Sequence, residues 1–531
     1  MPAQETKHRG RKLLAVTVLA LLALLSAVNF RIVKTPLARL VRHEIGFTEF
    51  VDEVQNGYIS GGFAGKNGFV NLNGLFARLT GRRTLNEVVR LSNGMLCVPA
   101  GNMDITPLAG EIAGFSDYLR ERDIPFLYVQ LPYKEPLDGQ VFPAGVTSYR
   151  NSNADRLLSR LSAAEVETLD LRPLVNRTPE MLERYFYKTD HHWNGDGAFA
   201  AFQEILSRLH ESFPDGKIDL TYARADQWER HSIDDWFLGA WGKRVGTFFG
   251  GTDPLIWYTP RFETEMSCAV PVHGWLYRGD FADANIRAQY IEKRDYFGYN
   301  AYEVYIGGEY PLVQHRNLDA PSPLKVLWLK DSFTLPLQAF FSTVFQEIDV
   351  IDPRYFSECT IAEYVERAQP DIVVLAMNPS PQGSAPDDDF GVEEAAAMRA
   401  EAGPYVPVFR QDVTAAANDS DYNYAALPLE PNTVYRITFE GVDIFEGETE
   451  GVGLRLYDKT AETVLGSMIF DLAYCEAADG FSWVFRTPGT QDELQLLFYA
   501  GLYGSTAGNS VIYRDVTVEK CTADAGKGKA P

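Results

Sequence analysis

The sequence predicts a large α/β domain, built on a parallel sheet with helices on both faces, followed by a C-terminal β-sandwich. Three observations carry that prediction. Apolar runs such as I-P-F-L-Y-V-Q-L-P at 124–132, K-V-L-W-L at 325–329 and D-I-V-V-L-A-M at 371–377 alternate with helical patterns. A strand covered on both faces reads as a continuous apolar run, and strand–helix alternation produces a parallel sheet. From about Tyr405 to Lys520 short β-runs then follow one another between turn residues, the pattern of a sandwich. Two polar blocks, T-D-H-H-W-N at 189–194 and L-K-D-S-F at 329–333, sit inside the α/β part.

The elements follow in order. Lys7, Arg9, Arg11 and Lys12 precede an apolar run from Leu13 to Val28. Its length, about 16 residues, is close to the lower limit of roughly 17–25 for a membrane-spanning helix. A basic flank before a short apolar core also fits a secretory signal. No A-x-A cleavage site and no nearby cysteine of lipobox type accompany it. Residues 1–34 are therefore expected to be a cytoplasmic basic tail and an uncleaved signal anchor. The bulk of the chain would lie outside the cytoplasm.

The α/β domain is expected over 35–404, beginning with a mixed lead-in to about Asn93. Helical spacing from Pro107 to Arg122 leads into the strand at 124–132, and then a loop with Tyr133, Lys134, Glu135 and Pro136. Lys134 is expected to be solvated, with substrate contact as the alternative. A helix at 153–163, a strand at 166–171 and a helix at 196–210 follow. The stretch from about 214 to 323 is rich in aromatics, among them Trp236, Trp241, Phe248, Phe249, Trp257 and Tyr258. It reads as β-rich hairpins inserted into the domain. Such aromatics fill cores more often than they meet sugar rings. Strands near 325–329, 348 and 371–377 alternate with helices after Ser332 and at 360–368. A loop at 379–389 and an Ala/Glu-rich helix at 392–401 close the domain. The β-sandwich occupies 405–520, and the tail 521–531 is expected to be disordered.

Composition narrows the function. The 531 residues are 46% hydrophobic and 23% charged, with a formal net charge of −23. A basic surface for nucleic acid is disfavoured, because phosphate contacts need clustered Lys and Arg. Five cysteines form neither a disulfide framework nor a C-x-x-C pair. Cys475 and Cys521 can bridge in an oxidising compartment or stay as ordinary buried thiols.

The two polar blocks carry the chemistry. Asp190 and His192 offer an acid and a base two residues apart, and Ser332 offers a hydroxyl at a strand-to-helix turn. A Ser-His-Asp triad is recognised by roles and geometry rather than by sequence order. Each residue also has a plainer reading. Asp190 and Ser332 can cap the helices that follow them, and one histidine can be a structural hydrogen-bonder. The combination favours chemistry. The carboxyl end of a strand is where α/β sites lie, and free N–H groups at the next helix start can face an oxyanion. Metal binding by Asp190, His191 and His192 ranks lower, because the remaining histidines are scattered. No metal and no cofactor are expected. Asn378, after an apolar strand, can orient substrate or complete an oxyanion site. As a turn residue before Pro379 it is slightly favoured.

T-D-H-H-W-N followed by the serine block resembles the DHHW proteins, relatives of the alginate O-acetyltransferases within the wider SGNH hydrolase group. Similar stretches at 328–341, 348–356 and 305–313 extend the likeness over roughly residues 45–400. The resemblance implies an SGNH-hydrolase-like sheet with Ser332 as nucleophile, His192 as general base and Asp190 as the group that orients the imidazole. His191 would point elsewhere. Lys330 stands where the group's G-D-S block has glycine, and the serine follows the Asp/His block, an order that fits the acetyltransferase branch. The usual oxyanion residues are therefore not transferred. The sandwich pattern resembles jelly-roll carbohydrate-binding modules, and a stabilising role is equally open for it.

The resemblance implies an extracytoplasmic O-acetyltransferase that moves acetyl groups through a serine acyl-enzyme to hydroxyls of a cell-surface or exported polysaccharide. It implies a multi-spanning membrane acyltransferase as the acetyl source. Two alternatives remain at this stage. One is a carbohydrate esterase or deacetylase with the same triad. The other is a membrane-anchored glycan-binding scaffold without catalysis, which a large separation of Ser332 from His192 would favour.

Overall fold

A computed structural model describes residues 2–57, 63–379, 390–392, 404–415, 424–477, 481–489 and 492–522. The chain divides into two compact units. The first comprises residues 1–86 and 243–251, the second 87–242 and 252–531.

In the first unit α1 (Pro2–Val41) contains the apolar run. α2 (Phe47–Gly57) turns back alongside it, with Arg39 of α1 paired to Glu53 of α2. α3 (Lys66–Leu79) packs on a short helix at Thr247–Gly250. A stretch of α1, Ala15–Val41, is long and apolar enough to cross a membrane by length and composition.

The second unit is built on an eight-stranded sheet. Its strands are β1 (Phe126–Gln130), β2 (Thr168–Asp170), β5 (Met266–Val270), β6 (Trp275–Gly279), β7 (Leu312–Arg316), β8 (Ser322–Lys330), β9 (Phe345–Ile351) and β10 (Ile372–Ala376). The intervening β3 (Trp228–Phe237) and β4 (Asp253–Pro260) pair with each other in a separate two-stranded ribbon. The order across the sheet is β2-β1-β10-β8-β9-β7-β5-β6. The first five strands run parallel. The last three are antiparallel.

Strand alternation sends β8 side chains to both faces. Leu327 and Leu329 join a core with Phe115 of α4 (Thr106–Arg120), Leu157 of α5 (Arg150–Ala163) and Val365 of α8 (Ile361–Ala368). Trp328 points the other way and packs on Phe341 of α7 (Leu335–Phe341), with ring centroids 4.7 Å apart. Phe202 of α6 (Gly195–Ser212) covers Phe341 on that side. The parallel sheet with helices on both faces that the sequence predicts is thus present.

The stretch 214–323 does more than form inserted hairpins. It supplies β5, β6 and β7 to the main sheet. The sequence hid this because β7 buries polar residues, Gln314 and His315. Each finds a partner: Gln314 donates to Asp349 at 3.0 Å, and His315 lies 3.3 Å from Gln338.

The C-terminal strands form two facing sheets around one apolar core. One sheet contains β11 (Tyr405–Ala415), β13 (Val434–Phe439), β14 (Gly441–Glu446), β17 (Phe481–Arg486) and β19 (Ser510–Cys521). The other contains β12 (Tyr424–Leu429), β15 (Gly451–Asp458), β16 (Thr463–Asp471) and β18 (Leu494–Tyr499). Cys475 and Cys521 are both free thiols. Most of the expected loop at 379–389 and helix at 392–401, and the tail beyond 522, lie outside the described residues.

The sandwich is fastened to the α/β part by an apolar cluster of Ala269 with Ile469, Leu497, Tyr499 and Tyr503, and by polar contacts. Arg278 meets Asp471 at 2.8 Å, and Arg367 donates to the Val484 carbonyl at 3.0 Å. Glu358 sits at this junction, where burial pushes its carboxyl up from 4.5 to about 7, against the opposing pull of Arg367 and the Ser467 N–H. Between those two pH values the folded protein holds a proton that the unfolded chain has released. The stability from this group is therefore complete below pH 4.5 and lost as pH rises through about 7. A Glu358→Gln variant lacks this loss. Its denaturation midpoint relative to the parent protein is expected to climb between these pH values, and a pH-independent difference would refute the assignment.

Candidate active site

The site forms at the carboxyl ends of β8 and β10. Asp331 ends β8 in an extended conformation (φ −112°, ψ −172°), and its carboxylate accepts from the Phe333 N–H at 2.9 Å. The same carboxylate accepts from the Asn378 N–H at 3.0 Å, which ties the end of β8 to the end of β10. Burial pushes the Asp331 carboxyl above the usual carboxylate range. Ser332 opens a single 3₁₀ turn before α7. Its own backbone N–H donates to no described residue.

The D-H-H-W segment approaches from the second face. Trp193 is fully buried and donates its indole N–H to the Phe333 carbonyl at 2.9 Å, joining this segment to the serine turn. Asn194, not Asp190, caps α6, accepting from the Gly197 N–H at 3.0 Å. Asp190 is left for His192. Its Oδ1 lies 2.6 Å from His192 Nδ1 and accepts from the His192 backbone N–H at 3.0 Å. Its Oδ2 accepts from the Ala240 N–H at 2.6 Å. His192 Nε2 lies 2.7 Å from Ser332 Oγ.

These distances define the protonation pattern. Burial opposes the Asp190 charge, yet the His191 and His192 rings and the Ala240 N–H hold the carboxyl well below the usual carboxylate range. An ionised carboxylate only accepts, so Nδ1 of His192 carries the proton and Nε2 turns its lone pair to the Ser332 hydroxyl. Tyr302 lies flat on the His192 ring, 3.8 Å away and tilted by 7°, with its hydroxyl donating to the Phe333 carbonyl at 2.9 Å. That stack fixes the ring plane.

His191 does not join the chain. Its ring lies 3.7 Å from that of His192, and its Nδ1, though 3.3 Å from Asp190 Oδ1, makes no hydrogen bond. Partial burial, reinforced by the neighbouring His192, lowers its pKa. Ligand atoms of Asp190, His191 and His192 do come within 4.8 Å of one another. Both His192 nitrogens and both Asp190 oxygens are already committed, so this donor set suits a proton relay better than a cation.

Two further residues hold the segment, and neither was foreseen. Lys134, expected in solvent, is buried, and its Nζ donates to the carbonyls of Lys188 and Asp190, each at 2.6 Å. Burial lowers its pKa to about 8. Its position straight after a buried strand was the one available hint. Asp253 of β4 accepts from the Lys188 N–H and from the Thr189 N–H and hydroxyl. Nothing in the sequence marked it. Gly239 permits the close approach that lets Ala240 reach Asp190. A Cβ built there would lie 2.3 Å from the Asp190 Cβ.

Asn378 stands next to the serine turn, but its side chain is largely occupied. Its carbonyl oxygen accepts from Gln130 at 2.9 Å, and its amide donates to the Pro132 carbonyl at 3.4 Å. Lys330 is fully buried and paired with Glu309 at 2.6 Å and Asp352 at 3.3 Å. The aromatics of 214–323 mostly serve the core. Tyr258 stacks on Phe199 at 4.6 Å, and Trp236 donates to the Tyr290 carbonyl.

A His Nδ1 proton shared with a buried carboxylate gives a far-downfield proton resonance. We expect that signal from the parent protein and its loss in Gly239→Ala, with unchanged far-UV circular dichroism. Lys134→Met strands two buried carbonyls, each worth about 1–3 kcal/mol. It should lower the melting temperature and broaden the same resonance, and an unaltered spectrum in both variants would contradict the clamp.

Residues 92–229 match the family model of the SGNH hydrolase-like domain of the acetyltransferase AlgX. No curated protein matches the chain. Among solved structures, PatB1 of Bacillus cereus is 22% identical with a TM-score of 0.47, covering 57% of this chain and 98% of its own. A DHHW family protein from Eubacterium siraeum is 17% identical with a TM-score of 0.42, covering 59% of this chain and 96% of its own. AlgX of Pseudomonas aeruginosa is 12% identical with a TM-score of 0.36, covering 83% of this chain and 97% of its own. The D-H-H-W block lies inside the matched stretch, and this chain is similar there to the AlgX-type SGNH hydrolase-like domain, as its resemblance to the DHHW proteins implied.

Proposed function

We propose that the protein is an extracytoplasmic O-acetyltransferase that acts on hydroxyls of a cell-surface or exported polysaccharide. The observation that carries this proposal is the continuous chain from Asp190 through His192 to Ser332, with links of 2.6 and 2.7 Å, at the carboxyl end of a parallel sheet. The match of residues 92–229 to an acetyltransferase domain supports the reaction class.

In this proposal Ser332 Oγ attacks the acetyl carbonyl while His192 Nε2 takes its proton. The tetrahedral oxyanion meets the Ser332 N–H, which no described residue occupies, and a further donor is the second amide proton of Asn378. Collapse expels the donor's leaving group, which receives the proton from His192. The acyl-enzyme is then attacked by a sugar hydroxyl, with His192 again as base, and Ser332 recovers its proton. Asp190 holds the Nδ1–H tautomer and stabilises the imidazolium in both halves.

The same chain would hydrolyse the acyl-enzyme if water reached it first, so the acceptor decides between transferase and esterase. α1 would sit in the cytoplasmic membrane as a signal anchor, and a multi-spanning membrane acyltransferase would supply the acetyl groups. The sandwich would add a glycan contact.

The full chain in detergent, given p-nitrophenyl acetate, is expected to form a protein adduct one acetyl heavier. Ser332→Ala should abolish both adduct and turnover. Asp190→Asn, which favours the wrong tautomer, should slow turnover by about 10⁴-fold with the fold intact. Oligosaccharide acceptors should convert release into transfer. Adduct formation that survives Ser332→Ala would overturn the assignment, and release that no acceptor diverts would favour the esterase.

A further inference from the structure

The first unit carries apolar surface that no described residue covers. On α3, Phe69, Leu72, Phe76 and Leu79 form one stripe at helical spacing and are 48%, 59%, 60% and 77% exposed. The opposite face is already used. Gly74 and Ala77 are buried, and a Cβ built at Gly74 would lie 2.2 Å from the Val245 carbonyl oxygen. Asn71 accepts there from the Thr247 N–H at 2.8 Å. Phe248 of the helix packed on that face adds another exposed ring. Single exposed apolar residues are ordinary, but an aligned set of large ones marks an interaction surface.

The surroundings indicate what covers it. α2 brings the chain back along α1, and a Cβ built at Gly57 would lie 2.7 Å from Ile32. Just before α3, the Ala64 N–H donates to Asn29 Oδ1 at 2.7 Å. A Cβ built at Gly65 would lie 3.9 Å from Leu25. α3 therefore starts level with the end of the apolar run of α1. Its ends are basic, with Lys66 at the start and Arg78, Arg82 and Arg83 at and beyond the finish, all exposed. An apolar stripe of Phe and Leu flanked by Lys and Arg is the composition of a helix that lies in a membrane interface.

We propose that α3 is a second membrane contact, lying in the headgroup region of an anionic bilayer with Phe69, Leu72, Phe76 and Leu79 turned into the lipid. The inference rests on α1 spanning that same bilayer. It gives the first unit two points of attachment rather than one tether.

The test uses the full-length chain in liposomes of phosphatidylcholine and phosphatidylglycerol. p-Benzoyl-phenylalanine is placed at Phe76, and separately at Glu121 of the second unit, whose side chain is 79% exposed. After irradiation, mass spectrometry of the peptides reads lipid adducts. Adducts at Phe76 about tenfold above those at Glu121 are expected. They should fall to the Glu121 level when Phe69, Leu72 and Leu79 are all changed to serine. Protein that floats with the liposomes but gives no excess adduct at Phe76 overturns the inference and leaves the anchor standing. Adducts from Phe76 to a co-reconstituted membrane protein in place of lipid overturn it in favour of a protein partner. Protein that fails to float overturns both the anchor and the inference.

Discussion

Burying Asp190 as an anion is the constraint on which the rest of the site depends. A carboxylate taken out of water must be paired or hydrogen-bonded at both oxygens, or it takes up a proton and no longer orients the imidazole. Here the donors are the His192 backbone, its Nδ1–H and the Ala240 N–H. Each comes from a backbone position that must itself be held. Lys134 and Asp253 hold the segment from Lys188 to Asp190, and Gly239 lets the Ala240 N–H come close. The buried charges of Lys134 and Asp253 lie near each other and near Asp190, so their costs of desolvation are partly offset together.

The sheet supplies the other half of the geometry. Parallel pairing of β8 with β9 and β10 puts their carboxyl ends side by side, and Asp331 links two of those ends. The serine turn can then meet the imidazole only if the D-H-H-W segment is pinned to it. Trp193 does this by a single indole hydrogen bond to Phe333, and Tyr302 binds the same carbonyl while stacking on His192. Phe333 therefore connects the Ser332 turn, the His192 imidazole and the Tyr302 ring stacked on it. Lys330 serves a different end. Together with Arg354 it neutralises Glu309 and Asp352 beneath the turn.

Much of this was legible in the sequence, for identifiable reasons. The strands at 124–132, 325–329 and 371–377 announce themselves because a strand covered on both faces must be apolar throughout. Asp190, His192 and Ser332 stand out because few residue types can form a hydrogen-bonded acid–imidazole–hydroxyl chain. The sandwich strands at 434–439 and 481–486 alternate because one face meets the core, whereas those at 451–458 and 494–499 are buried on both faces, the outer one against Ala269. The strand at 312–316 was not legible, since Gln314 and His315 break the apolar pattern and meet their partners, Asp349 and Gln338, only through the fold.

By itself, the sequence determined the fold class, the two polar blocks and the residue types that could act in them, because periodicity and side-chain chemistry are properties of local sequence. Only the tertiary structure decided that His192 and Ser332, 140 residues apart, lie within a hydrogen bond. It alone decided that Lys134 leaves solvent to clamp the Asp190 carbonyl, and that Asp253, 64 residues beyond Thr189, holds that residue's N–H. It decided that Asn194 rather than Asp190 caps the following helix, which frees the carboxylate for the imidazole. Those are contacts through space between segments that share no periodicity, and the physical demand behind them, that every buried polar group find a partner, acts only once the chain has folded.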